Sequence, residues 1–135
     1  MTDFSGKICL ITGASRGIGY QIAQTLAQKG ATIITAQRSE APGFISYEVE
    51  LTKPEASEML IDRVIAEYGR LDILVNNAVM MKEARLDKMW LAAFEEIIAM
   101  NLTTPFYLMA KALPFLSQVK GASVNIGSIE GLGAN

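Results

Sequence analysis

"KICLITGASRGIG", residues 7–19, decides how this chain folds. Its first six residues are largely apolar and read as a buried strand. The last eight hold three glycines and an arginine. Beyond them, Ile18, Ile22, Ala23 and Leu26 recur at helical spacing up to Lys29, and Gly30 stops the helix as a C-terminal cap. A strand, a glycine-rich turn and a helix in that order bring backbone N–H groups and the positive end of a helix dipole to one point. Such a point attracts phosphate. Gly13 permits the tight turn, Gly17 lets a pyrophosphate approach the backbone, and Gly19 lets the helix pack closely on the sheet.

The pattern repeats outward. "ATIITA", residues 31–36, reads as a second strand rich in β-branched side chains. "FISYEV", residues 44–49, is a third, reached through Pro42 and Gly43. Thr52 and Glu55 form a capping-box pattern that opens a helix running to about Tyr68, where Gly69 ends it. "LDILVNN", residues 71–77, is a fourth strand, and "ASVNIGS", residues 122–128, a fifth. Between them one long helix is expected over Leu86–Gln118. The stretch 80–90, "MMKEARLDKMW", is its entry loop, with Met89 and Trp90 packing inward. Alternating strands and helices, with strands that are continuous apolar runs, predict an α/β fold with a parallel sheet covered on both faces. Right-handed crossovers give strand order 3-2-1-4-5. The expected architecture is one Rossmann-type, doubly wound domain over residues 1–135, truncated after the fifth strand.

Composition sets outer limits. The chain has 135 residues, half of them apolar, enough for a real core. A net charge of −2 gives no basic balance that would suit nucleic acid. The single cysteine, Cys9, falls in the first strand and reads as an inert core residue. With no histidine, a Ser-His-Asp triad and most zinc sites are excluded. No signal pattern opens the chain and no apolar run reaches membrane-spanning length, so the expectation is a cytoplasmic protein with neither membrane nor nucleic-acid partner.

The glycine spacing is Gly-x-x-x-Gly-x-Gly, and here the likeness becomes specific. Thr12-Gly13-Ala14-Ser15-Arg16-Gly17-Ile18-Gly19 resembles the cofactor motif of the short-chain dehydrogenase/reductase family. "NNAV" at 76–79 is similar to that family's Asn-Asn-Ala-Gly, with Val79 in place of the glycine. "MNLTTPF" at 100–106 and "VNIGSIEG" at 124–131 resemble its next two motifs in order and spacing. The likeness runs from Gly6 to the last residue and is strongest to soluble carbonyl reductases, the 3-oxoacyl carrier-protein reductases among them. Independently of the family, Gly13, Arg38, Asn77 and Ser128 all fall at the carboxyl ends of predicted strands, the edge where open α/β sheets bind ligands.

An acidic side chain after the second strand would hold an adenosine ribose and repel a 2′-phosphate. This chain has Gln37 at that point, followed by Arg38, whose guanidinium grips phosphate with two donors. Arg16 approaches the same phosphate from the turn. NADP(H) is therefore favoured over NAD(H), as the resemblance also implies. Thr12, Ser15 and Ile18 belong to the same expected half-site. Glu50 and Leu51 stand where the family places Asp-Val against adenine, and Asn77 and Ala78 line the nicotinamide side.

Pro105 lacks an N–H, so the Asn101 carbonyl loses its helical partner, and a kink with a free carbonyl is expected. The resemblance implies that this carbonyl holds a water in a proton relay and that Ser128 hydrogen-bonds the substrate oxygen as hydride moves. It also implies a tyrosine proton donor in Tyr-x-x-x-Lys, following the serine and beginning beyond Asn135. None of Tyr20, Tyr47, Tyr68 and Tyr107 is expected to take that role.

Three readings stay open. The chain is the N-terminal half of an NADP(H)-dependent carbonyl reductase or alcohol dehydrogenase, acting on small-molecule substrates as a homo-oligomer when complete and inactive alone. It is a nucleotide-binding module without catalysis. Or it is an interaction protein that dimerises through the long helix.

Overall fold

The computed structural model describes residues 3–81 and 84–128. Five strands, β1 (Ile8–Thr12), β2 (Thr32–Gln37), β3 (Ile45–Glu48), β4 (Ile73–Asn76) and β5 (Ala122–Asn125), form one sheet in the order β3-β2-β1-β4-β5. Every pairing is parallel; Leu10 stands opposite Ile34 on one side and Leu74 on the other. The predicted α/β architecture and strand order are those observed.

β1 is buried along its whole length, and its side chains divide by the period of two. Cys9 and Ile11 point to one face, where Ala23 of α1 (Gly17–Gln28) packs with Ile33 and Val75. Ile8 and Leu10 point to the other. There Leu60, Ile61 and Val64 of α2 (Ala56–Tyr68) join Leu108, Ala112 and Leu116 of the last helix. Two apolar layers thus pin the central strands, and each fully buried leucine or isoleucine contributes about 1.5–3 kcal/mol. Gly69, at φ +77°, ends α2 as expected and donates its N–H to the Ile65 carbonyl at 2.8 Å.

Three local expectations are corrected. The capping box at Thr52 does not form: the Thr52 hydroxyl turns back to the Glu50 carboxylate at 2.8 Å, and α2 starts behind Glu55 without a side-chain cap. The helix expected over Leu86–Gln118 is broken into pieces. A 3-10 turn at Leu86–Lys88 precedes α3 (Leu91–Ile98), a π turn at Ala99–Thr103 and α4 (Thr104–Gln118). Trp90 does not pack inward: it precedes α3 and is 81% exposed, while Met89 is half-buried.

The π turn is the form the expected kink takes. Pro105 offers no N–H to the Asn101 carbonyl, and the Thr104 N–H reaches back to the Ala99 carbonyl instead, five residues away. On the outer side of α3, the π turn and α4, Leu91, Phe94, Ile98, Leu102 and Phe106 form an exposed apolar stripe at helical spacing. No described helix is long and apolar enough to cross a membrane.

Candidate functional site

The carboxyl ends of β1, β2 and β4 meet at the glycine turn, and hydrogen bonds fix how they meet. Thr12 is buried at the end of β1, and its hydroxyl oxygen accepts the N–H groups of Asn77 and Ala78 at 3.1 and 3.0 Å. In return, Asn77 Nδ2 donates to the Gly13 carbonyl at 2.8 Å. The Gly13 N–H reaches across to the Ala36 carbonyl at 2.9 Å. The turn leaving β1 and the loop leaving β4 are therefore one hydrogen-bonded unit.

Each glycine of the turn has its own physical reason. Gly13 sits at φ +67°, and a Cβ there would come within 2.7 Å of Ala78 Cα. A Cβ on Gly19 would overlap Asn77 Nδ2 and lie 2.6 Å from the Gly13 oxygen, so the start of α1 touches the turn itself. Gly17 has φ +64° and open space beyond it. α1 begins just after Arg16 with no side chain bonded to its first N–H groups, which leaves the positive end of the helix facing outward.

In front of this unit lies an open cleft of about 960 Å³. It brings together Gly13, Ser15, Arg16, Gly17, Ile18, Arg38, Leu51, Asn77 and Ala78, nine of the residues singled out from sequence. Thr12 and Gly19 lie beneath it as scaffold. Leu51 is buried, and its carbonyl accepts the Thr104 hydroxyl at 2.6 Å, which anchors the start of α4 to the cleft wall. Glu50 has one carboxylate oxygen on Thr52 and the other 3.8 Å from the Arg38 guanidinium. That ion pair is exposed and contributes little to stability. Val79, standing where the resembled motif has glycine, is 65% exposed and keeps a negative φ.

Asn101 and Ser128 stand apart from the cleft lining. Asn101 lies in the π turn, and its side chain pairs with the main chain of Met80, accepting its N–H and donating to its carbonyl, each at 2.8 Å. Ser128 follows β5 on the exposed edge of the sheet. The residues after it, with the rest of the resembled serine motif, lie outside the described part.

One feature escapes a reading of sequence alone: Gln37, which appears in sequence only as a missing acid. Its amide is in fact built in: Oε1 accepts the Ala14 N–H at 3.1 Å, and Nε2 donates to the Ser39 carbonyl at 2.7 Å. Only its place at the end of a strand could have pointed to it. The ground for setting Tyr107 aside is corrected: the sequence does place Lys111 four residues on, so spacing alone does not exclude this tyrosine. Placement does. Lys111 pairs with Glu58 of α2 at 3.5 Å and lies seven residues beyond Thr104, about 10 Å further along the helix axis from the cleft. Neither Tyr107 nor Lys111 lines the cleft.

A parallel sheet in this order, with the glycine turn and the Asn-Asn-Ala stretch locked together at one edge, matches known proteins. The family model for short chain dehydrogenase matches residues 7–135. The chain belongs to the short chain dehydrogenase family. It is 36% identical over 144 residues to the 3-oxoacyl-[acyl-carrier-protein] reductase FabG of Escherichia coli (strain K12), covering 98% of this chain and 59% of that relative. The enzyme of the same name from Thermotoga maritima is 33% identical, covering 96% of this chain and 58% of the relative. Among solved structures, a short-chain dehydrogenase from Streptomyces avermitilis superposes with a TM-score of 0.88 at 26% identity, over 99% of this chain and 53% of the other. The chain thus spans somewhat over half the length of the relatives it matches.

Proposed function

We propose that this chain is the cofactor-binding part of an NADP(H)-dependent oxidoreductase that moves hydride between a nicotinamide and a carbonyl or alcohol substrate. The observation that carries the reading is the pairing of Arg16 and Arg38 across one cleft whose floor is a glycine turn at a helix N-terminus. A pyrophosphate suits the free N–H groups of the turn. A ribose 2′-phosphate suits two guanidinium groups, with no carboxylate at the end of β2 to repel it. Leu51 and Ala78 offer apolar cover for the adenine and nicotinamide sides, and Glu50, beside Leu51 but not itself lining the cleft, would accept the adenine amine.

On this reading Asn101 and Ser128 serve the chemistry. Asn101 spends its side chain on Met80 and keeps its main-chain oxygen for a proton relay. Ser128 hydrogen-bonds the substrate oxygen and stabilises the charge that builds as hydride arrives. The tyrosine proton donor that the family resemblance implies would fall in the part of the relatives' length that this chain does not span. The likeness to 3-oxoacyl-[acyl-carrier-protein] reductases supports a carbonyl substrate. The exposed stripe from Leu91 to Phe106 supports assembly into a homo-oligomer.

Titration of the chain with NADP⁺ and NAD⁺ by isothermal calorimetry tests the reading. Tighter binding of NADP⁺, weakened when Arg38 is replaced by alanine, is the expected result. Equal affinity for both nucleotides would remove the 2′-phosphate assignment, and binding of neither would remove the cofactor reading.

A further inference from the structure

Gln37 carries more of the cleft's organisation than its neighbours do. It ends β2, is only 8% exposed, and spends both ends of its amide on main chain. Oε1 takes the Ala14 N–H of the glycine turn at 3.1 Å. Nε2 gives one hydrogen to the Ser39 carbonyl at 2.7 Å and the other to the Thr35 hydroxyl at 3.1 Å. Thr35 passes the chain on to β3, within 3.1 Å of Ser46 Oγ, which in turn accepts the Ala41 N–H at 2.8 Å. One run of hydrogen bonds thus joins the turn that precedes Arg16 to the loop that carries Arg38.

Arg38 needs such support. Its side chain is 72% exposed and has one long ion pair, to Glu50 at 3.8 Å. Little in its own contacts places it, so the backbone at 38 and 39 must, and Gln37 holds that backbone. We propose that Gln37 is a positioning residue that couples the two phosphate subsites of the cleft: its amide fixes the glycine turn and the Arg38–Ser39 backbone in one relation, and that relation lets Arg38 select a ribose 2′-phosphate. The inference rests on the cofactor reading above. No other side chain of similar size supplies the same pattern. Glutamate accepts from Ala14 but has no donor for Ser39 or Thr35, and methionine fills the volume while leaving the buried Ala14 N–H unpaired.

A double-mutant cycle on the 135-residue chain tests the coupling, with NADP⁺ and NAD⁺ as the probes. In the unchanged chain, Arg38→Ala lowers the preference for NADP⁺ about tenfold or more, the value of charge-assisted hydrogen bonds to phosphate. In a Gln37→Met background the same Arg38 substitution lowers it less than about threefold, because Arg38 is no longer placed; residues that act independently would show equal factors. Equal factors in the two backgrounds overturn the coupling. Binding of neither nucleotide by the unchanged chain overturns the cofactor reading and the coupling with it, so the two failures are distinct. Should Gln37→Met not fold, Gln37→Glu takes its place in the cycle. Simple repulsion by the new carboxylate lowers the preference equally with and without Arg38, whereas lost positioning abolishes the Arg38 effect. Amide hydrogen exchange gives a readout without ligand: Ala14 exchanges faster in Gln37→Met and keeps its protection in Gln37→Glu. Unchanged exchange at Ala14 in Gln37→Met also overturns the proposal.

Discussion

The side chain of Asn101 and the main chain of Met80 are locked together by two 2.8 Å hydrogen bonds, one in each direction. Asn101 belongs to the π turn that Pro105 imposes, and Met80 to the loop leaving β4. The pair makes the irregular helix and the cleft wall one body. It also explains why an asparagine stands in an otherwise apolar helix: the wider turn swings its amide toward a backbone that offers one donor and one acceptor.

Asn101→Ala removes both bonds and leaves the Met80 N–H and carbonyl to water. The expected loss of stability is about 1–2 kcal/mol, since these groups are solvent-accessible and each bond is worth about 0.5–1.5 kcal/mol net. Hydrogen exchange at the Met80 amide should rise with it. Asn101→Asp keeps the acceptor and loses the donor, so Met80 should retain part of its protection. Urea denaturation with exchange measured by NMR checks both, and unaltered exchange at Met80 in the alanine variant would contradict the lock.

Gly19 and Gly17 separate two ways in which a glycine is required. Alanine at 19 drives a methyl group into Asn77 Nδ2 and the Gly13 oxygen, so either α1 retreats or Asn77 releases the turn. The expected cost is about 1–3 kcal/mol, that of forced overpacking, with nucleotide affinity lost as well. At Gly17 an added methyl meets nothing, and the cost is that of the left-handed backbone alone, about 1–2 kcal/mol. Paired denaturation curves measure the two costs, and NMR spectra of the native variants should show the Asn77 side-chain resonances displaced in Gly19→Ala and unmoved in Gly17→Ala. The reverse pattern would refute the packing argument.

The sheet was legible in sequence because its evidence is redundant. Apolar runs such as "CLI" and "ILV" mark strands buried on both faces, and Gly30 and Gly69 mark where helices must stop. The order of the strands follows from right-handed crossovers together with a doubly wound arrangement that reverses direction at β1. What sequence did not show depends on choices made in three dimensions. Thr52 had two partners within reach and took Glu50 rather than the helix end. Trp90 is apolar, but α3 begins after it and turns its stripe outward, leaving the ring exposed. Gln37 reads as the absence of a carboxylate until the Ala14 N–H and the Ser39 carbonyl are seen on either side of its amide.

Cys9 offers a clock for opening of the core. It is the second residue of β1 with no exposed surface, and burial pushes its thiol pKa up to about 12. At neutral pH the native chain should therefore resist thiol reagents such as dithionitrobenzoate. Labelling should proceed only as fast as the sheet opens and should rise with urea in step with global unfolding. Rapid stoichiometric labelling without denaturant would show that the β1 layer is not closed.

Asp72 ties the start of β1 to the approach to β4, and its ionisation makes that tie depend on pH. Its carboxylate accepts the Ile8 N–H at 2.8 Å and receives Arg70 through two bonds, at 2.9 and 2.6 Å. Burial works against the charged form, yet the Arg70 and Ile8 bonds and the nearby cations outweigh it and hold the carboxyl below its ordinary value. A carboxylate with a lowered native pKa binds its proton more readily in the unfolded chain. The stabilisation is therefore complete above the unfolded value of about 4 and drains away as pH falls through the native value beneath it. Asp72→Asn keeps one acceptor and loses the charge, at an expected cost of about 1–3 kcal/mol at pH 6 for a buried, charge-assisted set of bonds. The gap between the two chains should narrow steadily below pH 4, where the wild-type aspartate takes up its proton and resembles the substitution. Urea midpoints measured from neutral pH down to the acid limit of folding check this, and two curves that stay parallel throughout would mean that folding does not lower the Asp72 pKa.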